Sequence, residues 1–338
     1  MITEQDPLRV AVVGVWHVHA GEYVDEMLEN PRFKVVGVYD DEAEAAKQFA
    51  DERGLSIFES LPEALGNDID GIVVNTATTD HIRIINQALD AGKHVFTEKV
   101  LTNEIKSAKE LETKAQDLGL NLFVSLQRLA EPWIYEMMEV INSGEIGKIT
   151  SSRFRYQHGG IIEGWLPKAF LNPEESQGGS IIDLGAHGYY LSNLFHDSYP
   201  EKISSVGSHF VTDSVEDHSV VVLTYPGGVT SVLETSLVAG PFARWCEVYG
   251  TKGFAVVDSR DNKVRVHALG NSDGSVWKAR ENGPQRKTPL ARWLDAINSG
   301  KSDGDNVMAA LRLTAQVEAS YDAMKLDTSV ATVPPKFP

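Results

Sequence analysis

The sequence is poor in cysteine, in positive charge and in long apolar runs. Its single cysteine, Cys246, excludes a disulfide bond within the chain. Against 48 aspartates and glutamates stand only 31 lysines and arginines, a net charge of −17 that argues against nonspecific nucleic-acid binding. No apolar run approaches the roughly 20 residues that cross a bilayer, and the polar residues 1–9 do not resemble a signal peptide. We therefore expect a cytoplasmic protein without nucleic-acid or membrane partners.

Glycine is also scarce where a dinucleotide-binding fold needs it. Residues 9–13 form an apolar run that ends at Gly14, as in the first strand of such a fold. The usual G-x-G-x-x-G has glycine at two further positions, which Trp16 and His19 occupy here. The motif alone is weak, but the helix that should follow still offers free backbone N–H groups and a positive dipole end.

Strands and helices alternate through the first third of the chain. The predicted strands cover 8–14, 33–40, 55–60, 70–81, 93–100 and 120–128, with helical patterns between most of them. Strict alternation of this kind predicts a parallel sheet with helices on both faces. We therefore expect an α/β, Rossmann-type doubly wound domain over residues 1–127, with its ligand at the carboxyl ends of the strands.

The pattern changes after residue 127. Helical patterns over 132–143 and 163–195 precede β-branched runs, a Tyr225–Gly228 turn signal and a last helix over 306–325. This order predicts a second, α+β domain over residues 128–338, built on a mostly antiparallel open sheet.

Asp40 ends the second predicted strand, where a carboxylate can accept hydrogen bonds from the adenosine ribose. A carboxylate there would repel the extra phosphate of NADP, which favours NAD over NADP. The alternative is that Asp40 is a solvated strand-end residue or caps the next helix.

Several motifs farther along the chain occur together in one known family. They are Thr76 with His81, the run 88–95 followed by Glu98 and Lys99, Arg128 with Pro132, and Gly178–Gly179 followed by Asp183, Gly185 and His187. In this order and over nearly the whole chain, they resemble the Gfo/Idh/MocA oxidoreductases, relatives of glucose–fructose oxidoreductase and inositol dehydrogenase.

The resemblance implies hydride transfer between a nicotinamide cofactor and a secondary alcohol of a sugar, cyclic polyol or sugar derivative. In this reaction His187 would take the hydroxyl proton, and Lys99 would stabilise the developing alkoxide. Asp183, four residues before His187 on one predicted helical face, would orient the imidazole or hold a substrate hydroxyl.

The expected cofactor contacts are Gly14, Trp16, His17, Val18, Asp40, Thr76, His81, Glu98 and Lys99. The expected substrate contacts are Arg128, Tyr156, Trp165, Asp183 and His187. No pair of histidines, cysteines or carboxylates has convincing metal-ligand spacing, so no metal is expected.

Two departures from the family pattern leave alternatives open. The phosphate loop lacks two glycines, and Val100 replaces the proline that usually follows Glu-Lys. A noncatalytic nucleotide-binding regulator is one alternative, and a glycosidase that uses NAD transiently is another. The resemblance also implies a homodimer or homotetramer that forms through the sheet of the second domain.

Overall fold

The computed structural model describes residues 1–269, 278–281 and 283–336. Two compact units divide the chain: the first contains Met1–Ser125 and Thr288–Thr314, and the second contains Leu126–Lys287 and Ala315–Lys336. In the described residues, none of the helices combines the length and apolarity that a membrane crossing requires.

The first unit contains a five-stranded parallel sheet. Its strands are β1 (Leu8–Val13), β2 (Phe33–Tyr39), β3 (Gly71–Val74), β4 (His94–Thr97) and β5 (Leu122–Val124), in the order β2-β1-β3-β4-β5. Its first five helices are α1 (Ala20–Glu29), α2 (Ala43–Arg53), α3 (Leu61–Ala64), α4 (His81–Asp90) and α5 (Ile105–Asp117). The predicted parallel α/β architecture is therefore confirmed.

The strand predicted over 55–60 is not formed as a strand. Only Ile57 pairs with the sheet, through a single parallel bridge to Val38 of β2. This segment nevertheless lies at the outer edge of β2, where a Rossmann fold has its third strand.

The second unit contains a nine-stranded mixed sheet. Its strands are β6 (Ile149–Gln157), β7 (Lys202–Ser208), β8 (His218–Thr224), β9 (Thr230–Ser236), β10 (Ala243–Gly250), β11 (Gly253–Asp258), β12 (Arg265–Ala268), β13 (Lys278–Ala279) and β14 (Val330–Ala331). The order is β13-β12-β11-β10-β6-β9-β8-β7-β14, and among the described strands only the β6–β9 pair is parallel. Residues 225–228 connect β8 to β9 as an antiparallel hairpin, as predicted.

The helix predicted over 163–195 is broken into short pieces. Four α-helices lie entirely within the described part of this unit: α6 (Pro132–Asn142), α7 (Gly160–Glu163), α8 (Pro173–Ser176) and α9 (Ala186–His196). Pro167, Pro173 and the Gly178–Gly179 pair interrupt the pattern, because proline removes a helical donor and glycine disfavours a helix interior. A π-helical segment, Ile181–Gly185, leads directly into α9.

Helix α10 (Pro289–Ser299) belongs to the first unit, although the sequence assigns it to the second domain. Leu290, Trp293 and Leu294 are fully buried in the same apolar cluster as Phe33 and Phe96. This packing explains why Thr288–Thr314 belongs to the first unit, whose other boundary, between Ser125 and Leu126, lies two residues before the predicted one. The long α11 (Gly304–Leu326) passes from the first unit into the second between Thr314 and Ala315.

If α10 completes the core of the first unit, truncating Leu294 must create a cavity there. We expect Leu294→Ala to lower the free energy of unfolding by about 2–5 kcal/mol. The matched control is Leu326→Ala, because Leu326 is 63% exposed and should change stability by less than about 0.5 kcal/mol. Urea unfolding followed by circular dichroism measures both variants, and equal stabilities would contradict the assignment of α10.

Candidate active site

Polar residues follow four of the five strands of the parallel sheet at its carboxyl edge. They are Asp40 after β2, Asn75 and Thr76 after β3, Glu98 and Lys99 after β4, and Ser125 after β5, while Gly14 follows β1. The chain reverses its direction of winding between β1 and β3, and ligands of such sheets bind outside the strand ends at that point. The first unit therefore places most of the predicted cofactor residues along one edge.

Gly14 is required by both conformation and space. Its φ is +87°, in the region that favours glycine. A Cβ atom at this position would lie 2.5 Å from the Thr76 Cγ2 and 2.6 Å from the Thr76 backbone nitrogen. The one glycine that remains of the motif is thus the one that allows the turn after β1 to lie directly against Thr76, after β3.

The carboxylate of Asp40 binds the backbone of two segments, one after β1 and one after β2. Its Oδ2 accepts a hydrogen bond of 2.7 Å from the Val15 N–H, and its Oδ1 accepts one of 2.8 Å from the Glu42 N–H. Asp40 therefore connects the loop after β1 to the turn that starts α2. A carboxylate has about four acceptor sites, so these two bonds leave acceptor capacity for a ribose hydroxyl.

Glu98 is the centre of a buried polar cluster. The side chain is 1% exposed, and its Oε1 lies 2.8 Å from the Nδ1 of His19 and 3.6 Å from the Nδ1 of His17. The Tyr23 hydroxyl donates to the same oxygen and also lies 2.7 Å from the Ser125 Oγ. The Lys99 N–H donates to Oε2 over 3.0 Å. The cluster thus connects the β1–α1 loop to the end of β4.

The charges around Glu98 keep it ionised. Burial alone would raise the pKa of its carboxyl, but His17, His19 and the Lys99 charge outweigh burial and hold that pKa well below its usual value. Burial, together with the neighbouring carboxylate, raises the pKa of the Tyr23 hydroxyl well above its ordinary value. Tyr23 therefore stays protonated and can donate to Glu98.

Lys99 lies on the segment that leaves β4, and His81 is the first residue of α4. Lys99 is 6% exposed, and the peptide bond between Lys99 and Val100 is cis. The buried His81 ring places its Nδ1 3.0 Å from the Val100 carbonyl oxygen and 3.1 Å from that of Leu101. Burial lowers the pKa of His81, so the neutral ring holds the backbone next to Lys99.

Within the described residues, several groups at this edge lack protein partners. Neither end of the buried Asn75 amide nor the Thr76 hydroxyl has a hydrogen-bond partner there. The side chain of His19, the cap residue of α1, forms no capping hydrogen bond, although the His17 Nδ1 accepts one from the His19 N–H. Buried polar groups and an uncapped helix N-terminus are the groups that a dinucleotide would satisfy. Trp16 is half-buried and Val18 is 45% exposed on the loop before this helix.

The second unit has its own polar cluster around His187 on α9. The His187 Nδ1 lies 2.8 Å from the Tyr190 hydroxyl, which also accepts a hydrogen bond of 3.2 Å from the Arg128 N–H. The Tyr156 ring lies 5.5 Å from the His187 ring, centroid to centroid. Tyr156 is 1% exposed, and no described residue forms a hydrogen bond with its hydroxyl. This cluster brings three predicted substrate residues together.

Different surroundings are found for the side chain of Arg128 and for the other two predicted substrate residues, Trp165 and Asp183. The Arg128 side chain pairs with Glu131 at 2.9 Å, and Glu131 also binds Arg244. Trp165 is 50% exposed and donates from its indole N–H to Glu163 over 2.9 Å. Asp183 lies in the π-helical segment before α9, so the helix between Asp183 and His187 is not purely α-helical as predicted, and their common face stays a prediction.

The predicted catalytic residues are divided between the units: Lys99 belongs to the first, and Asp183 and His187 belong to the second. Their convergence stays a prediction. Sequence reasoning missed three residues of these clusters, namely Tyr23, Ser125 and Tyr190, and it did not connect His19 with Glu98. The His-x-His spacing of residues 17–19 was available as a pattern, but Glu98 is 79 residues away from His19 in sequence.

Comparison with known proteins covers both units. A family model of oxidoreductases with an NAD-binding Rossmann fold matches residues 8–126, and a model of the GFO/IDH/MocA C-terminal domain matches residues 134–256. Trans-1,2-dihydrobenzene-1,2-diol dehydrogenase of Oryctolagus cuniculus is 29% identical over 242 residues, which cover 70% of this chain and 71% of the relative.

Two solved structures have the same fold at low sequence identity. GenD2 from gentamicin A biosynthesis, in complex with NAD, matches with a TM-score of 0.83 and 21% identity over 98% of both chains. KijD10, a 3-ketoreductase from Actinomadura kijaniata in complex with NADP and TDP-benzene, matches with a TM-score of 0.84 and 22% identity. That match covers 94% of this chain and 98% of KijD10. The two neighbours hold different dinucleotides, so the likeness does not select NAD or NADP.

The contact between Gly14 and Thr76 can be tested against a glycine of similar conformation. Gly54 ends α2 with a φ of +65°, and a Cβ atom added there would have no neighbour within 4 Å. Gly54→Ala should cost about 1–2 kcal/mol for its backbone conformation alone. Gly14→Ala should cost about 1–3 kcal/mol more, because its methyl group also meets Thr76. Urea unfolding measures this difference, and a Gly14→Ala variant no less stable than Gly54→Ala would contradict the close approach.

Proposed function

Because the chain belongs to the Gfo/Idh/MocA family of NAD(P)-dependent oxidoreductases, we propose that it transfers a hydride between a nicotinamide cofactor and a secondary alcohol carbon. The proposed substrate is a sugar, a cyclic polyol or a sugar derivative. Relatives named as a diol dehydrogenase and a dTDP-sugar 3-reductase support this substrate class.

The observation that carries the proposal is the row of polar groups at the carboxyl edge of the parallel sheet. Gly14, Asp40, Thr76 and Glu98 follow four adjacent strands there, and Asn75 and Thr76 have polar atoms without partners among the described residues. These groups fit a dinucleotide that lies across the strand ends.

When bound, the dinucleotide supplies the nicotinamide ring that accepts or returns the hydride. In this proposal the N-terminus of α1 holds the pyrophosphate, with the loop residues Trp16, His17 and Val18 around it. Asp40 binds the adenosine ribose, and Thr76 and Glu98 support the nicotinamide end. His81 acts through the backbone, because it fixes the segment that carries Lys99.

The proton chemistry is assigned to Lys99 and His187. The Lys99 ammonium stabilises the negative charge that develops on the reacting oxygen, where a fixed cation in a water-poor site is most effective. His187 exchanges the hydroxyl proton, since the pKa of an ordinary imidazole lies near neutral pH. Asp183, together with Arg128, Tyr156 and Trp165, positions the substrate hydroxyls.

We also propose that two copies of the chain associate through the open face of the nine-stranded sheet. Val220 and Val222 of β8 and Val232 of β9 are only half-buried and lie on this face. Arg153 and Arg155 of β6 pair with Glu234 on the same face. An apolar patch with compensated charges is typical of an interface between copies.

Replacing Lys99 or His187 tests the proposed chemistry directly. We expect Lys99→Met and His187→Gln each to lower kcat by about 10²–10⁴-fold, the usual contribution of a proton-transferring or charge-stabilising group. Cofactor affinity should change only slightly. The measurements are absorbance of the reduced nicotinamide with a panel of polyols and sugars, and fluorescence titration of the cofactor.

Each variant has a matched control in or beside the same element. Lys93 is also 6% exposed but lies before β4, where its ammonium donates to the carbonyls of Gly66 and Ile69. His196 lies at the far end of α9 from His187. Lys93→Met and His196→Gln should keep most of the activity. Full turnover by Lys99→Met or His187→Gln would refute the assigned roles, and cofactor binding without turnover of any substrate would favour a regulator.

Asp40 should determine the choice of dinucleotide. Removing its charge with Asp40→Asn should lower the ratio of NAD to NADP affinity by about tenfold, which corresponds to about 1.4 kcal/mol. A ratio is measured because loosening of the loop affects both nucleotides alike. Asp41→Asn is the control, since Asp41 pairs with Arg83 at 2.9 Å instead of holding the loop. An unchanged ratio in Asp40→Asn would remove Asp40 from the ribose site.

A further inference from the structure

We propose that His17, His19 and Glu98 form a binding site for one divalent transition-metal ion, such as zinc. One potential ligand atom from each of the three side chains lies within 4.8 Å of the other two. The two histidines come from the loop between β1 and α1, and the carboxylate comes from the end of β4. This proposal replaces the sequence-based expectation that no metal is bound.

The distances agree with those between ligands of one ion. In a tetrahedral site with metal–ligand bonds of about 2.0–2.2 Å, neighbouring ligand atoms lie about 3.3–3.6 Å apart. The His17 Nδ1 lies 3.6 Å from the Glu98 Oε1, which is already such a spacing. The His19 Nδ1 lies 2.8 Å from the same oxygen, and this hydrogen bond would lengthen by roughly 0.5 Å when a metal ion replaces its proton.

The surrounding groups orient the carboxylate as metal sites require. The His17 Nδ1 accepts a hydrogen bond of 3.2 Å from the His19 backbone N–H, and a metal ion bound to this nitrogen would replace that hydrogen bond. The Tyr23 hydroxyl donates to the Glu98 Oε1, and the Lys99 N–H donates to Oε2. Metal-ligating carboxylates are normally held by such additional hydrogen bonds. The carboxylate therefore needs little rearrangement to bind an ion.

The donor set defines the class of ion. Two imidazoles and one carboxylate suit zinc and the neighbouring first-row ions, whereas calcium and magnesium prefer oxygen ligands alone. Three protein ligands leave a fourth position for water, as in zinc sites that are not closed. Glu98 is 1% exposed and His17 is 5% exposed, so the ion would be largely shielded from solvent.

Such an ion would cross-link the β1–α1 loop to β4 at the place where the glycine motif is missing. The inference rests on these three side chains and not on the proposed hydride transfer. The metal site can therefore be tested separately from the proposed function.

The test is the metal content of the full-length protein. The chain is stripped with a chelator, incubated with excess zinc, separated from unbound zinc by gel filtration and analysed by plasma mass spectrometry. We expect about one zinc ion per chain, and cobalt in place of zinc should give the visible absorption of a low-coordinate site. Wild-type protein that retains no zinc and no cobalt would overturn the proposal.

Variants locate the ion. His19→Asn and Glu98→Gln should abolish zinc retention, and Tyr23→Phe should weaken the zinc affinity by about 10–100-fold, because it removes one donor to the ligating carboxylate. His209→Asn is the control for adventitious binding, since His209 is an exposed histidine outside the cluster. Circular dichroism identifies a variant that does not fold, and Tyr23→Phe keeps the test decisive if Glu98→Gln is such a variant. Equal retention by wild type and the folded cluster variants would place the ion elsewhere and overturn the proposal.

Cofactor binding is measured by nicotinamide fluorescence on the chelator-stripped protein, because the proposed function also places His17 and Glu98 beside the dinucleotide. Zinc binding without dinucleotide binding supports the metal site and contradicts the proposed function. Dinucleotide binding without zinc binding overturns the metal site alone.

Discussion

A buried carboxylate, Glu98, is the interaction on which the candidate site depends. It is almost fully shielded from water, so its charge is tolerated only because donors and cations surround it. Those partners come from the β1–α1 loop, from α1 and from the backbone of Lys99. Removing any of them would leave a buried charge less compensated. One carboxylate therefore fixes both the loop beside the predicted pyrophosphate site and the residue proposed to stabilise the alkoxide.

This cluster also explains how the β1–α1 loop keeps its conformation with so few glycines. Gly14 remains because its φ is positive and Thr76 leaves no room for a Cβ atom. The position of the third glycine is filled by His19, whose ring binds Glu98 instead of lying between helix and strand. The small buried residue at the start of α1 is Ala20, one position later. The loop is thus held by polar contacts where a typical dinucleotide-binding loop relies on small residues.

The parallel sheet could be predicted from the sequence because its strands are buried on both faces and read as continuous apolar runs. Strands β1 and β2 end within one residue of the prediction, whereas the strands predicted over 70–81 and 120–128 end already at Val74 and Val124. Thr76 was named from the family resemblance and not from this pattern. The assignment of α10 could not be predicted, because an amphipathic helix does not indicate which distant sheet it covers. The contacts of Glu98 with His19 and Tyr23 likewise exist only after folding. The π-helical segment around Asp183 has no periodic pattern that distinguishes it from an α-helix.

The hydrogen bonds of His187 determine what the proposed proton transfer requires. The Tyr190 oxygen accepts from the Arg128 N–H and lies 2.8 Å from the His187 Nδ1. Because a phenol can both donate and accept, this contact fits either tautomer of the neutral imidazole. If His187 takes the proton of an alcohol at Nε2, the neutral ring must carry its own proton on Nδ1, with Tyr190 as the acceptor. In the reverse direction the protonated ring returns the Nε2 proton to the carbonyl oxygen and keeps the proton on Nδ1, so the same contact with Tyr190 fits both oxidation and reduction.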